Sequence, residues 1–428
     1  MFEPGEETVN MKGDGKNQPL PIGWFALFTP SDAMAKDRGL YFKRRGLIIL
    51  VGLVVLAISW GCGQSKEFVE NLYANGFGQA IGRGLATVSG VLPTSVAELL
   101  MFLVGSWFLV HAARAAWYVG WRKRRALNAI ACGGLHFGAF AVILLALFYV
   151  FWGLNYFRAP LVERQDWQEY AKASKDPEQD REELYDLCRE LVLETNHNYL
   201  LATGSEDYEA PSAPKADLAV MDGEIDVGYQ RVQEELKLDD SFAASRGRAK
   251  PVALSGVMSV LHITGFYFPW TGEANYNRVQ PSCTLPFVIG HEKAHQRCIS
   301  SEDEANFFGF LACSRSDDPY VRYSAYLFAQ RQLLYELLKL EPERARELVD
   351  LRYPGVQRDI DAVRAYWEQL DKGVAGKVGE ASHAVNDVYL KTNGVEGGID
   401  SYLMSAKLLI VYARKAGGLV YRPQTKEP

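Results

Sequence analysis

The sequence predicts a mainly α-helical chain in two parts: three N-terminal transmembrane helices, then a mostly helical α+β domain. Two observations carry this. Three apolar stretches, each close to the roughly 20 residues of helix that cross a ~30 Å hydrocarbon core, all lie before residue 158. The charge balance changes at the same point: residues 1–158 hold 15 Lys and Arg against 9 Asp and Glu, and residues 159–428 hold 31 against 43. With 48% hydrophobic and 23% charged residues among 428, the composition is neither disordered nor fibrous. An acidic main domain argues against a nucleic-acid partner. Six cysteines without a CxxC pair exclude a disulfide framework and a zinc ribbon.

Taken in order, residues 1–42 are polar with scattered Gly and Pro and read as a flexible cytoplasmic tail. Residues 43–158 form the membrane domain, with spans at about 46–62, 97–117 and 130–154. Lys43, Arg44 and Arg45 precede the first span, and Arg122, Lys123, Arg124 and Arg125 separate the second from the third. The intervening loop, 63–96, holds only Lys66 and Arg83 as basic residues. Basic flanks stay on the cytoplasmic side, so the N-terminus is expected inside and everything after the third span outside the cytoplasmic membrane. His111 and His136 fall within spans and are expected to make helix-packing hydrogen bonds. The partner these spans imply is a lipid membrane.

Residues 159–428 form the third region, the soluble domain. Helices are expected around 165–202, 222–237, 322–341, 343–371 and 400–415, with a Pro- and Ala-rich linker at 210–215. The last helix is too short and charged to span a membrane, so it is expected to pack amphipathically.

The chemistry lies between residues 284 and 310. His291, Glu292 and His295 form an HExxH pattern. On a helix, residues four apart share a face, the spacing at which two imidazoles bind one tetrahedral zinc ion. Glu292 sits beside them, where it can take a proton from a zinc-acidified water and pass it to a leaving amine, as peptide hydrolysis requires. A third ligand is needed, and Glu302, Glu304 and Cys298 are the candidates in that order. Ser300 or Ser301 can cap a helix running from there to about Ala312. Cys298 could instead be packed or paired with Cys313.

The pattern His291-Glu292-x-x-His295 followed by Glu302-x-x-Ala305-Asn306 resembles the Glu-zincin signature of HtpX-type and ImmA/IrrE-type membrane or soluble peptidases. The resemblance covers about 20 residues and implies a zincin-like fold, Zn2+ as cofactor, Glu302 as third ligand and Asn306 as a residue orienting a ligand. A broader resemblance is to a bacterial family of multi-span membrane proteins known only as a domain of unknown function. It rests on Phe151 to Arg158 (FWGLNYFR), Gly265 to Asn275 (GFYFPWTGEAN), HExxH, Glu302 to Asn306, Arg322 to Ser324, and Val385 to Lys391. It covers most of residues 65–415. Two positions depart from the pattern: Lys293 replaces an apolar residue and Cys298 stands where glycine is expected.

Other residues are placed more loosely. Thr271–Pro286 is read as the edge strand that would hold a substrate backbone. Tyr323, with Tyr326, Tyr389 and His383 as alternatives, is the expected oxyanion donor. His262 is a remoter ligand candidate. The function expected is a membrane-anchored zinc metallopeptidase, catalytic through Glu292 and Tyr323, with metal ligands His291, His295 and Glu302. Its expected partner is a protein or peptide substrate, exported or membrane-proximal. The alternative is a non-proteolytic envelope protein whose zinc site is structural or degenerate and whose domain binds a partner.

Overall fold

A computed structural model describes residues 38–121, 126–172, 174–392 and 405–422. They are mainly helical, with three short strands. In chain order the longer elements are α1 (Arg38–Gly63), α2 (Gly78–Ser89), α3 (Val96–Trp121), α4 (Ala126–Phe151), α5 (Pro177–Thr203) and α6 (Leu218–Leu236). Then come β1 (Lys250–Pro251), α7 (Ser255–Val260), β2 (Gly265–Phe268), β3 (Glu273–Tyr276), α8 (Leu285–Gln296) and α9 (Glu302–Ser314). The chain closes with α10 (Pro319–Leu340), α11 (Pro342–Asp350), α12 (Pro354–Leu370), α13 (Gly373–Thr392) and α14 (Ser405–Ala416). Of the expected tail 1–42 only 38–42 are described, and they are the first residues of α1; the rest lies outside the described residues.

The described chain divides into two compact units, one containing the residues up to Leu53 together with His111–Ile143, the other Val54–Val110 together with Leu144 onward. Among the described residues two helices are long and apolar enough to cross a membrane, Gly39–Gly63 and Gly133–Phe151, rather than the three expected. The middle candidate does form a continuous helix, α3, but its apolar stretch is Val96–Val110.

In the second unit, helix boundaries follow local chemistry. Asp176, Asp217 and Asp318 cap α5, α6 and α10 through their side chains, and Pro177 and Pro319 sit in the first turns. That is why α5 begins at 177 and not near 165. Gly204 closes α5 in the left-handed conformation, at φ 82°. The single helix expected over 343–371 is two, α11 and α12, because Pro354 cannot continue a helix and disfavours helical geometry at Tyr353. Helix α14 forms as expected within its described part, with Leu408, Leu409 and Val411 buried.

The helix α8 lies at the centre of this unit, with every residue from Leu285 to Gln296 buried. Around it pack α9, α10, α6 and a three-stranded sheet of order β1-β3-β2, β1 parallel and β2 antiparallel to β3. Strand β3 lies inside Thr271–Pro286 and is central; the edge next to α8 is β2, so the edge-strand expectation is corrected to Gly265–Phe268. An alternation of exposed and buried residues could not reveal this, since all four residues of β3 are buried.

Candidate metal centre

The site is built where α8 and α9 cross. A Cβ on Gly290 would lie 2.7 Å from Cys313 Sγ and 3.2 Å from the Gly309 carbonyl, and one on Gly309 would lie 2.9 Å from the His291 nitrogen. Two glycines therefore let the helix backbones touch. Between the helices the chain reverses at Cys298, whose φ of 62° is left-handed, and Ser301 takes the N-cap position of α9. The outcome is that the first turn of α9 meets the last turn of α8.

Three ligand-type atoms converge there. His291 Nε2 lies 3.1 Å from His295 Nε2 and 3.1 Å from Glu302 Oε2, and His295 Nε2 lies 3.5 Å from the same Glu302 oxygen. Bonds of about 2.0–2.2 Å to a tetrahedral zinc ion require ligand separations of about 3.3–3.6 Å, and the three observed separations come within a few tenths of an ångström of that. The other ring nitrogens are committed. His291 Nδ1 donates to Asn306 Oδ1 at 2.8 Å, and His295 Nδ1 donates to the Ile299 carbonyl at 2.7 Å. Asn306 is itself fixed, its Nδ2 donating to Ser405 Oγ at 2.9 Å. With both Nδ1 atoms protonated, both Nε2 lone pairs face one carboxylate, an arrangement that calls for a cation or a proton between them. Burial would lower the His295 pKa, but the Glu302 charge outweighs it and brings the imidazole to about 9. Burial acts against ionised Glu302, yet the two imidazoles hold it well below the usual carboxylate range. The His291, His295 and Glu302 side chains are 11%, 7% and 14% exposed, so the cluster is largely buried.

Glu292 lies against β2. A Cβ on Gly265 would sit 2.6 Å from Glu292 Oε1, so glycine is required there. Its Oε2 is buried without a hydrogen-bond partner. Burial raises the Glu292 pKa to about 7, with the imidazoles opposing and Glu302 adding to the shift. A buried carboxylate with one uncommitted oxygen beside a metal cluster can accept a proton.

The structure separates the remaining candidates. Glu304 accepts from the Leu161 backbone N–H at 2.6 Å and pairs with Arg164, so it is not at the cluster. Cys298 and Cys313 are unpaired, and neither belongs to the cluster. The left-handed φ at Cys298 accounts for the expectation of glycine there. Lys293 is fully buried and donates to Asp222 at 2.7 Å, with Asp226 3.0 Å away.

Tyr323 is corrected: its hydroxyl donates to Asp359 at 2.7 Å within the packed helices α10 and α12, and none of its contacts belongs to the cluster. Tyr326 is also buried and accepts from the Tyr421 N–H at 3.2 Å. Tyr389 on α13 accepts from the Tyr156 hydroxyl at 3.0 Å. Burial raises its pKa to about 12, the bond from Tyr156 opposing and the Glu302 charge adding to it. His262 and His383 stack edge-on at 5.2 Å, and His262 Nε2 lies 3.2 Å from Asp371 Oδ1, forming a separate surface group. His136 is buried in α4 of the first unit, and the side chain of His111 lies outside the described residues.

Sequence reasoning missed what holds the end of α8. Trp152 Nε1 donates to the His295 carbonyl at 3.2 Å, and its ring stands edge-on to the His295 ring at 6.0 Å. Arg158 donates to the Cys298 carbonyl at 2.9 Å and forms a bidentate pair with Glu70. Gln79 on α2 donates to the Arg297 carbonyl at 3.0 Å. The available signal was Trp152 and Arg158 directly after an apolar helix, and it could not name their partners some 140 residues away.

No curated protein and no solved structure matches this chain. Comparison with known families finds a match over residues 73–410, from the segment before α2 into α14 and including the whole cluster. The chain belongs to the family described as protein of unknown function, DUF3810.

Proposed function

We propose that the chain is a zinc metallopeptidase anchored in the cytoplasmic membrane, hydrolysing peptide bonds of exported or membrane-proximal proteins. The observation that carries this is the convergence of His291, His295 and Glu302 at separations of 3.1–3.5 Å, with Glu292 beside them. When bound, zinc would polarise the scissile carbonyl and acidify the attacking water. Glu292, with its uncommitted Oε2, would serve as the base that accepts a proton from the attacking water and returns it to the leaving amine. Asn306 and the Ile299 carbonyl hold the imidazoles through Nδ1, leaving Nε2 of each free to hold the metal. The edge of β2 offers its backbone to an extended substrate, and Tyr389 is the donor for the developing oxyanion. An outward-facing domain is supported by the basic flanks at 43–45 and 122–125. It is also supported by the ends at Gly63, Val96 and Phe151, which all belong to the second unit.

The ligand assignment is tested by metal titration of the purified full chain. Glu302→Ala should lower zinc affinity by at least about 10–100-fold. Glu304→Ala should keep zinc, since that carboxylate serves Leu161 and Arg164. The reverse order would overturn the assignment, and a folded wild-type chain that binds no zinc would sink the metallopeptidase reading. Tyr389→Phe should reduce kcat by roughly 10²-fold while leaving KM and zinc content unchanged. A Tyr323→Phe variant matching that loss would return the role to Tyr323.

The low exposure of the three ligands favours one second reading, a structural zinc site in a partner-binding envelope protein. Glu292→Gln separates the two, because it costs turnover only in an enzyme.

A further inference from the structure

Two uncharged segments meet where α3 begins: the end of α2 with the turn that follows it, and the stretch from β1 through α7. Residues 84–97 carry no charge between Arg83 and Glu98, and residues 251–261 carry none between Lys250 and His262. Lys250 Nζ ties them together, donating to the Ser89 carbonyl at 2.7 Å and the Thr94 carbonyl at 3.2 Å while pairing with buried Glu273. Glu98 accepts from the Ala253 and Leu254 N–H groups at 2.9 and 2.8 Å. The charges at the base of the two segments are thus spent on holding them in place, and apolar side chains are left outside. Val88 is 75% exposed, Val91 81%, Leu254 56% and Val257 53%. Patches of this kind on a soluble surface mark an interaction site.

We propose that this collar inserts into the outer surface of the bilayer, seating the metal centre at the headgroup level and restricting its substrates to polypeptides anchored in the same membrane. It rests on the peptidase reading for the substrate and on the membrane reading for the anchor. The occupant is argued from continuity: the collar runs directly into α3, an apolar helix whose Leu99 and Phe102 are 51% and 65% exposed. Uncharged segments that bear Val and Leu beside such a helix suit burial about 5–10 Å into the headgroup and acyl boundary. The centre lies close by. Strand β2 follows α7 after a short turn, and its first residue, Gly265, touches Glu292. Trp152, directly after α4, donates to the His295 carbonyl.

The test is lipid quenching on the full chain reconstituted in phosphatidylcholine vesicles carrying a shallow doxyl lipid. Bimane is attached at Val91→Cys, at Val257→Cys and, as a reference, at Val220→Cys on α6, which is 56% exposed; wild type taken through the same labelling is the blank. Labels at 91 and 257 should lose roughly half their fluorescence, and the label at 220 should keep it. Equal quenching at all three positions would overturn the proposal. So would shielding at 91 and 257 that depends on protein-to-lipid ratio, since a second copy would then cover the collar. Quenching needs neither zinc nor turnover, so its failure leaves the peptidase reading standing. In the same vesicles a lipid-anchored peptide should be cleaved at least about tenfold faster than its free form, through effective concentration. Val91→Glu/Val257→Glu should lose that preference with zinc content unchanged; wild-type preference in that variant would overturn the substrate class.

Discussion

Glu292→Gln should keep zinc at the wild-type stoichiometry and lower peptide turnover by about 10²–10⁴-fold, the range a general base contributes. The side chains have the same shape, so the contact with Gly265 survives; what disappears is the proton acceptor at Oε2. None of the three ligand atoms belongs to Glu292, and His291 and His295 keep their bonds to Asn306 and Ile299. His295→Ala provides the contrast, since it should lose metal and turnover together. Elemental analysis and a peptide-cleavage assay on the two variants decide the matter. Wild-type turnover in Glu292→Gln would end the enzymatic reading and leave a structural metal site.

Asp226→Ala should destabilise the second unit by about 3–5 kcal/mol, seen as a lowered thermal midpoint of the full chain in detergent. Lys293 is fully buried on α8, and Arg297 one turn later is also fully buried. Asp226 lies 3.0 Å from Lys293 and 2.9 Å from Arg297, so removing it leaves Lys293 with Asp222 alone and Arg297 with backbone carbonyls but no carboxylate. Asp222 is a poor substitute. Burial raises its pKa, and its charge is held mainly by Lys293. Replacing charges in balance, as Lys293→Met/Asp226→Leu, should recover much of the loss, because a matched removal leaves no net buried charge. If Asp226→Ala unfolds at the wild-type temperature, the cluster is not what fixes α8 against α6.

Lys293 illustrates how far the sequence could be read. Its position on the helix face opposite the histidines follows from the 3.6-residue repeat, so a harmless effect on ligation was legible. Its need for two aspartates on α6, 71 and 67 positions earlier, was not. The same division separates Glu302 from Glu304. Helical spacing allows either near the histidines, and resemblance to a short motif prefers Glu302. Glu304 is excluded physically by Arg164 and the Leu161 N–H, which long-range folding brings to it. Tyr323 shows the same limit: among 22 tyrosines, local pattern does not reveal that this hydroxyl is bonded to buried Asp359.

By itself the sequence determined the mainly helical class, two of the three apolar helices as membrane-length, the break of charge near residue 158, and the His291–Glu292–His295 face. Each of these depends on neighbours within one or two helical turns, where backbone periodicity fixes which side chains lie together. Tertiary structure alone decided the rest. It chose β2 over β3 as the edge strand, placed Trp152, Arg158 and Gln79 at the end of α8, and joined two uncharged segments at the start of α3. These outcomes rest on which distant groups satisfy a buried charge, carbonyl or donor, and that is settled only when the helices have packed.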